Sequence, residues 1–272
     1  MTFQPDHVEH LATILKAVSG FVLSPEKAYL IEPRLAPLAR REGMASVEQV
    51  LLRLRRAPDE RLIWAVAEAM SVNETTFFRD RSPFELFRDE IAPAIASRRR
   101  DRTVRVWCAG VATGQEAYSL AMLGLQMPEV KLEILGSDFS QRCLEKAQSG
   151  LYTQFEVQRG LPVRQLIEHF DKVDEMWRAN ARLRQAVAWK PVNLMGDLSR
   201  LGRFDVVFCR NVLTYFDEPT RRDVLEKIAG VLEPDGFLVL GAAETSMDSA
   251  AFRPAPGRRG LYARDPEFRK AA

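Results

Sequence analysis

Several stretches of this chain gather polar and charged side chains in patterns that could do chemistry. In "SVNETTFFRD" (71–80), Asn73, Thr75 and Arg79 stand beside Phe77 and Phe78. So many hydrogen-bonding groups next to two aromatics make sense if the rings pack inward while the polar groups hold something. In "CAGVATGQEAYSL" (108–120), Gly110 and Gly114 permit close approach of a ligand to the loop, and Glu116 follows at the start of a helical pattern. "GSDFS" (136–140) places Asp138 where a carboxylate can accept from both hydroxyls of a ribose. "CRNVLTYF" (209–216) brings Arg210, Asn211 and Tyr215 after an apolar run, and Asn193 ends another.

The spacing of these groups narrows the chemistry. A nicotinamide dinucleotide calls for G-x-G-x-x-G, and this chain offers only G-V-A-T-G. A P-loop calls for G-K-[ST]; here Gln115 and Glu116 follow, and a carboxylate there repels phosphate. A cofactor with a ribose and positive charge but no phosphate fits better, and S-adenosylmethionine is such a molecule. Glu116 suits its cationic groups. Helix capping would use Glu116 or Asp138 equally well singly. Polar groups at four strand ends favour a ligand.

Those residues need a scaffold that brings them to one edge. From Thr103 onward, apolar runs of strand length ("TVRVWCAG", "KLEILGSD", "AVAWKPVN", "FDVVFCRN", "GFLVLGAAE") alternate with helical patterns near 115–126, 140–149 and 218–232. Apolar strands alternating with helices predict a parallel sheet covered on both faces, with ligands at the carboxyl ends of the strands. Residues 151–186 break the alternation and predict an inserted subdomain, and "AAFRPAPGRRGLYAR" predicts a closing antiparallel hairpin. Before the sheet, the chain reads as helix only. Val8, Leu11, Ile14, Leu15 and Val18 recur at helical spacing, and Ser46 opens a helix carrying Val47, Val50, Leu51 and Leu54. The expected division is a helical domain over 1–90, a basic linker over 91–102, and an α/β domain over 103–272 carrying the insertion.

Composition bounds the rest. The 272 residues are 46% hydrophobic and 28% charged, enough for a large core. Three cysteines, Cys108, Cys143 and Cys209, are too few and scattered for a disulfide framework, and three histidines make no metal-ligand cluster, so no metal is expected. The 39 basic and 37 acidic residues leave a net charge of +2, which offers nothing strong for nucleic acid, and none is expected. No apolar run approaches the ~20 residues that cross a bilayer, and the first residues do not read as a leader. A cytoplasmic monomer is expected, reaching the membrane only through a partner.

Together, "NETTFFRD", "RVWCAGVATGQEAYSLAM", "SDFSQRCLEKAQSGLY", "FDVVFCRNVLTYFD" and "LEPDGFLVLGAAE" resemble the CheR family of chemotaxis receptor methyltransferases over nearly the whole chain. The resemblance implies a Rossmann-like methyltransferase sheet with an N-terminal helical domain and a small inserted subdomain. It implies methylation of glutamate side chains on chemoreceptor cytoplasmic helices, with S-adenosylmethionine as donor and S-adenosylhomocysteine as product. Carried over onto matching positions, Asn73, Thr75, Arg79, Glu116, Asp138, Asn193, Leu194, Asn211 and Val212 are the implied cofactor contacts. Glu74 and the Gln115-Glu116-Ala117 triplet depart from the family's usual residues without removing a contact.

Tyr215 is the first candidate to orient the acceptor carboxylate, and Arg98 is a second. An acidic receptor bundle calls for a basic face, which Arg53, Arg55 and Arg56 supply. The inserted segment lacks the glycines expected of a tight peptide-gripping turn, which points to action without a receptor tether. Two alternatives stand beside this: a methyltransferase of the same cofactor site with another acceptor, and a non-catalytic module that senses the cofactor.

Overall fold

The computed structural model describes residues 3–57, 59–246 and 249–268. It divides into two compact units, Met1–Val72 with Tyr215–Thr220, and Asn73–Thr214 with Arg221–Ala272.

The first unit is helical, with α1 (Pro5–Ser19), α2 (Ile31–Arg41), α3 (Val47–Arg56) and α4 (Glu60–Met70). Its ends follow local rules. Pro5 opens α1 and Gly20 closes it with φ 74°, returning its N–H to the Lys16 carbonyl. Ser46 caps α3 through the Gln49 N–H, and Asp59 caps α4 through the Leu62 N–H. Leu11, Leu15, Leu35, Val50, Leu54, Leu62 and Val66 are buried at the spacing of one helical face. The short segment Tyr215–Thr220 belongs to this unit: the Val22 N–H donates to the Tyr215 carbonyl at 2.9 Å, and the Tyr215 ring stacks on Phe21.

The second unit opens with α5 (Ser82–Leu86) and α6 (Ala92–Ala96), joined by a wide π-type turn over Phe87–Ile91. The sheet follows in chain order: β1 (Thr103–Ala109), α7 (Gln115–Leu125), β2 (Lys131–Asp138) and α8 (Gln141–Ser149). The insertion comes next, with β3 (Leu151–Thr153), α9 (Gln154–Gln158), α10 (Val163–His169), β4 (Phe170–Val173), β5 (Met176–Ala179) and α11 (Ala181–Gln185). The chain then returns through β6 (Val187–Pro191), β7 (Phe204–Cys209), α12 (Glu218–Val231), β8 (Leu232–Leu240), β9 (Phe252–Pro254) and β10 (Leu261–Arg264).

The main sheet has the order β6-β2-β1-β7-β8-β10-β9; its first five strands are parallel and the β9/β10 hairpin runs antiparallel to β8. The chain builds outward from β1 through β2 to β6, then restarts at β7 on the other side. That reversal opens a crevice between the carboxyl ends of β1 and β7. The insertion forms its own antiparallel sheet in the order β3-β5-β4.

Composition draws the eye to the basic stretch near 96–102, but packing divides the chain at 72/73. Phe77, Phe84, Phe87, Ile91 and Ile95 share one buried core with Val104, Val106 and Phe208, so the segment after Val72 packs as part of the sheet unit. Arg99 is pinned rather than solvated: its guanidinium reaches Asp205 at 2.6 Å and Asp235 at 2.7 Å, at the amino ends of β7 and β8.

Candidate functional site

Asp138, at the end of β2, is buried, and its two oxygens accept from the Ala112 and Ser140 N–H groups at 2.9 Å each. The carboxylate therefore fixes the loop after β1, where Ala112 has φ 49°, as well as its own turn. Gly110, φ 72°, has no room for a Cβ, which would stand 2.6 Å from Val212 Cγ2. Two strand-end loops thus touch directly at the β1/β7 crevice.

A buried arginine organises the other side. Arg210 follows β7, and its side chain is only 1% exposed. It donates to Glu116 Oε2 at 3.0 Å, Asp80 Oδ2 at 2.7 Å and the Arg79 carbonyl at 2.8 Å, while its guanidinium lies 5.5 Å from the Phe84 ring centre. Burial pushes the Glu116 carboxyl above the ordinary carboxylate range, and the Arg210 charge opposes that rise. The adjacent turn is held in an uncommon backbone shape, with positive φ at Phe78, Asp80 and Arg81. Phe77 is fully buried, edge-on to Tyr152 and Phe170, and Phe78 meets Phe84. The Phe78 N–H donates to Ser119 Oγ on α7. The aromatics therefore anchor the segment, which leaves Arg79 half-buried beside Glu116, its guanidinium donating to the Glu74 carbonyl at 3.2 Å.

Asn211, next in the chain, has φ 60°, a conformation that asparagine tolerates better than most residues. Its backbone N–H donates to Glu244 Oε2 at 2.6 Å. After β6, Asn193 accepts the Met195 N–H through its side chain and the Gly196 N–H through its carbonyl, and Leu194 is buried. Thr75 is half-buried and Asn73 exposed, both on the stretch leading into Phe77.

Glu116, Asp138, Asn193, Leu194, Asn211 and Val212 all stand at the carboxyl edge of the sheet, and Arg79 reaches it through Arg210. Arg98 does not. It lies before β1 at the opposite edge, with Nε on the Ala94 carbonyl and Nη1 3.4 Å from Asp235. An arginine just ahead of a parallel strand sits at the amino edge, so Arg98 is withdrawn as a candidate catalytic residue. Tyr215 packs within the helical unit, stacked on Phe21 at 5.9 Å with Lys27 Nζ 5.9 Å from its ring. Arg53 pairs with Asp59 at 3.2 Å, Arg55 approaches Asp6 at 3.5 Å, and Arg56 is exposed.

Sequence reasoning left Asp80 and Glu244 out and gave Arg210 no role. Arg210 had a readable signal: a charge set directly after the fully buried strand "FDVVFC" must find partners. Glu244 had none, because its partners are backbone N–H groups.

The donor set fits S-adenosylmethionine. Among the described residues, Arg210 Nε and Asn211 Oδ1 are buried with no hydrogen-bond partner, so both can still serve a ligand. Glu116 retains 12% exposure at the crevice, the place for a cation. Cys108 and Cys209 are buried near Glu116 and their thiols are pushed well up, so neither is poised as a nucleophile.

Residues 73–260 match the family model of the CheR methyltransferase SAM-binding domain, and residues 6–63 match its all-alpha domain. The chain is 33% identical over 244 residues to a chemotaxis protein methyltransferase of Pseudomonas putida, covering 87% of this chain and 89% of the relative. Chemotaxis protein methyltransferase 1 of Pseudomonas aeruginosa is 34% identical over the same shares. The Vibrio parahaemolyticus chemotaxis protein methyltransferase is 33% identical over 90% of this chain and 91% of its own length. Two domain matches in chain order and relatives aligned almost end to end place this chain in the CheR methyltransferase family, the S-adenosylmethionine-dependent chemotaxis protein methyltransferases.

Proposed function

We propose that this enzyme methylates glutamate side chains on the cytoplasmic helices of a chemoreceptor, giving glutamyl methyl esters. The observation that carries the reading is the buried Arg210, which ties Glu116, Asp80 and the Arg79 backbone into one polar wall at the carboxyl edge of the sheet. Asn73, Thr75, Arg79, Glu116, Asp138, Asn193, Leu194, Asn211 and Val212 are the proposed cofactor contacts. S-adenosylmethionine, when bound, supplies a methyl group activated by its sulfonium.

A glutamate of ordinary pKa, about 4.3, is ionised at neutral pH, so the protein needs no general base. Its task is positioning and exclusion of water from the incoming carboxylate. Tyr215 is proposed to orient that carboxylate. Arg53, Arg55 and Arg56 are proposed to meet the acidic receptor face, where Arg56 is the least engaged with the protein's own carboxylates. The enzyme is proposed to act as a monomer.

The test uses methyl-labelled S-adenosylmethionine and receptor cytoplasmic fragments. Label that alkali releases as methanol identifies an ester and supports the reading. Label retained through alkali marks another acceptor atom, and absence of transfer despite cofactor binding marks another substrate; either outcome overturns it. Glu116→Gln is a better binding control than Asp138→Ala, because Asp138 also holds two loop N–H groups.

A further inference from the structure

The loop after β8, "GAAE" (241–244), makes no hydrogen bond from its glutamate to any side chain of the proposed cofactor site, yet that carboxylate grips the site's backbone. Glu244 Oε2 accepts from the Asn211 N–H at 2.6 Å and the Gly241 N–H at 2.9 Å, and Oε1 accepts from the Thr214 N–H at 3.2 Å. One carboxylate thus clamps both ends of the loop Asn211–Thr214. Ionised acceptors of backbone N–H groups form the stronger class of hydrogen bond. The clamped loop begins at Asn211 in a left-handed conformation, whose Oδ1 is buried without a partner among the described residues. It continues to Val212, whose methyl fills the space a Gly110 Cβ would need.

Gly241 completes the device. A Cβ there would stand 2.8 Å from Asn211 Nδ2 and 2.8 Å from Glu244 Oε2, so the amide and the carboxylate pack directly against this turn and would have to shift for any larger residue. Asn211, Gly241 and Glu244 interlock over three contacts.

We infer that Glu244 is a positioning residue for cofactor binding: with Gly241 it fixes the Asn211–Val212 backbone of the proposed cofactor site by accepting from backbone N–H groups. This rests on the proposed cofactor contacts. It differs from a generic stabilising role because it predicts a loss of cofactor affinity in variants that stay folded.

The experiment titrates the full chain and its Glu244→Gln and Gly241→Ala variants with S-adenosylhomocysteine, alongside thermal midpoints and circular dichroism. Failure of wild type to bind S-adenosylhomocysteine would sink the cofactor reading itself and is seen before any variant is measured. With wild type binding, the expected result is folded variants whose dissociation constants rise at least about tenfold. Affinity within about twofold of wild type in a folded variant would overturn the inference. If one variant does not fold, the other decides. If neither folds, the clamp is a determinant of folding and the inference fails.

Discussion

At the scale of single residues, Arg210 has the most to lose. A buried guanidinium with two carboxylates and a carbonyl around it leaves Glu116 uncompensated when removed, and breaking a buried ion pair from one side typically costs about 3–5 kcal/mol. Arg210→Met should lower the denaturant midpoint accordingly. Adding Glu116→Gln should recover part of the loss, so the double variant falls short of the sum of the singles. Glu116 also sets a pH dependence. Burial raises its pKa, and protonation removes the negative charge proposed to meet the cofactor's cations. Affinity for S-adenosylmethionine should therefore fall on acidification, more steeply than in Glu116→Gln. Equal slopes in the two titrations would remove Glu116 from the site. Asp138 was legible because it closes an apolar run, and Glu116 because it opens the helical pattern after a glycine-bearing loop; both are local patterns. Arg210's partner Asp80 lies 130 positions away and Glu244 lies 33 from Asn211, separations at which no spacing rule operates.

At the scale of elements, the start of α12 shows a cap serving two ends at once. Asp217 accepts the Thr220 N–H at the helix N-terminus and pairs with Lys16 of α1 at 2.5 Å. Lys16 chiefly holds its carboxyl down at about 2, against an ordinary 3.8. A depressed folded-state pKa contributes stability fully present above the unfolded value and lost as pH falls through the folded one. Wild type should therefore lose more stability between about pH 4 and about pH 2 than Asp217→Asn, which keeps a capping oxygen but not the charge. Parallel acid-denaturation curves would contradict this. The elements were readable because apolar run length, capping residues and the Pro and Gly turn of the final hairpin are all short-range. The three-stranded sheet of the insertion was less so: β3 and β4 hold three and four residues each. Strands that short carry no period to count, and their pairing with β5 is set by turns and by Tyr152 and Phe170 packing with Phe77.

At the scale of the molecule, every proposed cofactor contact lies in the sheet unit, whereas Tyr215 packs in the helical one. A ligand that binds only the folded state adds about 2.7 kcal/mol at one hundred times its dissociation constant. Hydrogen exchange with saturating S-adenosylhomocysteine should therefore slow for amides of β1 and β7 and stay unchanged in α1 to α4. Slowing confined to the helices would move the site out of the sheet unit. By itself, the sequence determined that a parallel α/β sheet carries polar strand ends suited to a nucleoside with positive charge, since apolar run lengths and strand-end residues are local properties. Only the tertiary structure decided where the chain divides and which groups surround Arg210 and Asn211. The division follows an apolar core shared across distant segments, and the surroundings of Arg210 follow from a buried charge that must find partners, which sequence order does not name.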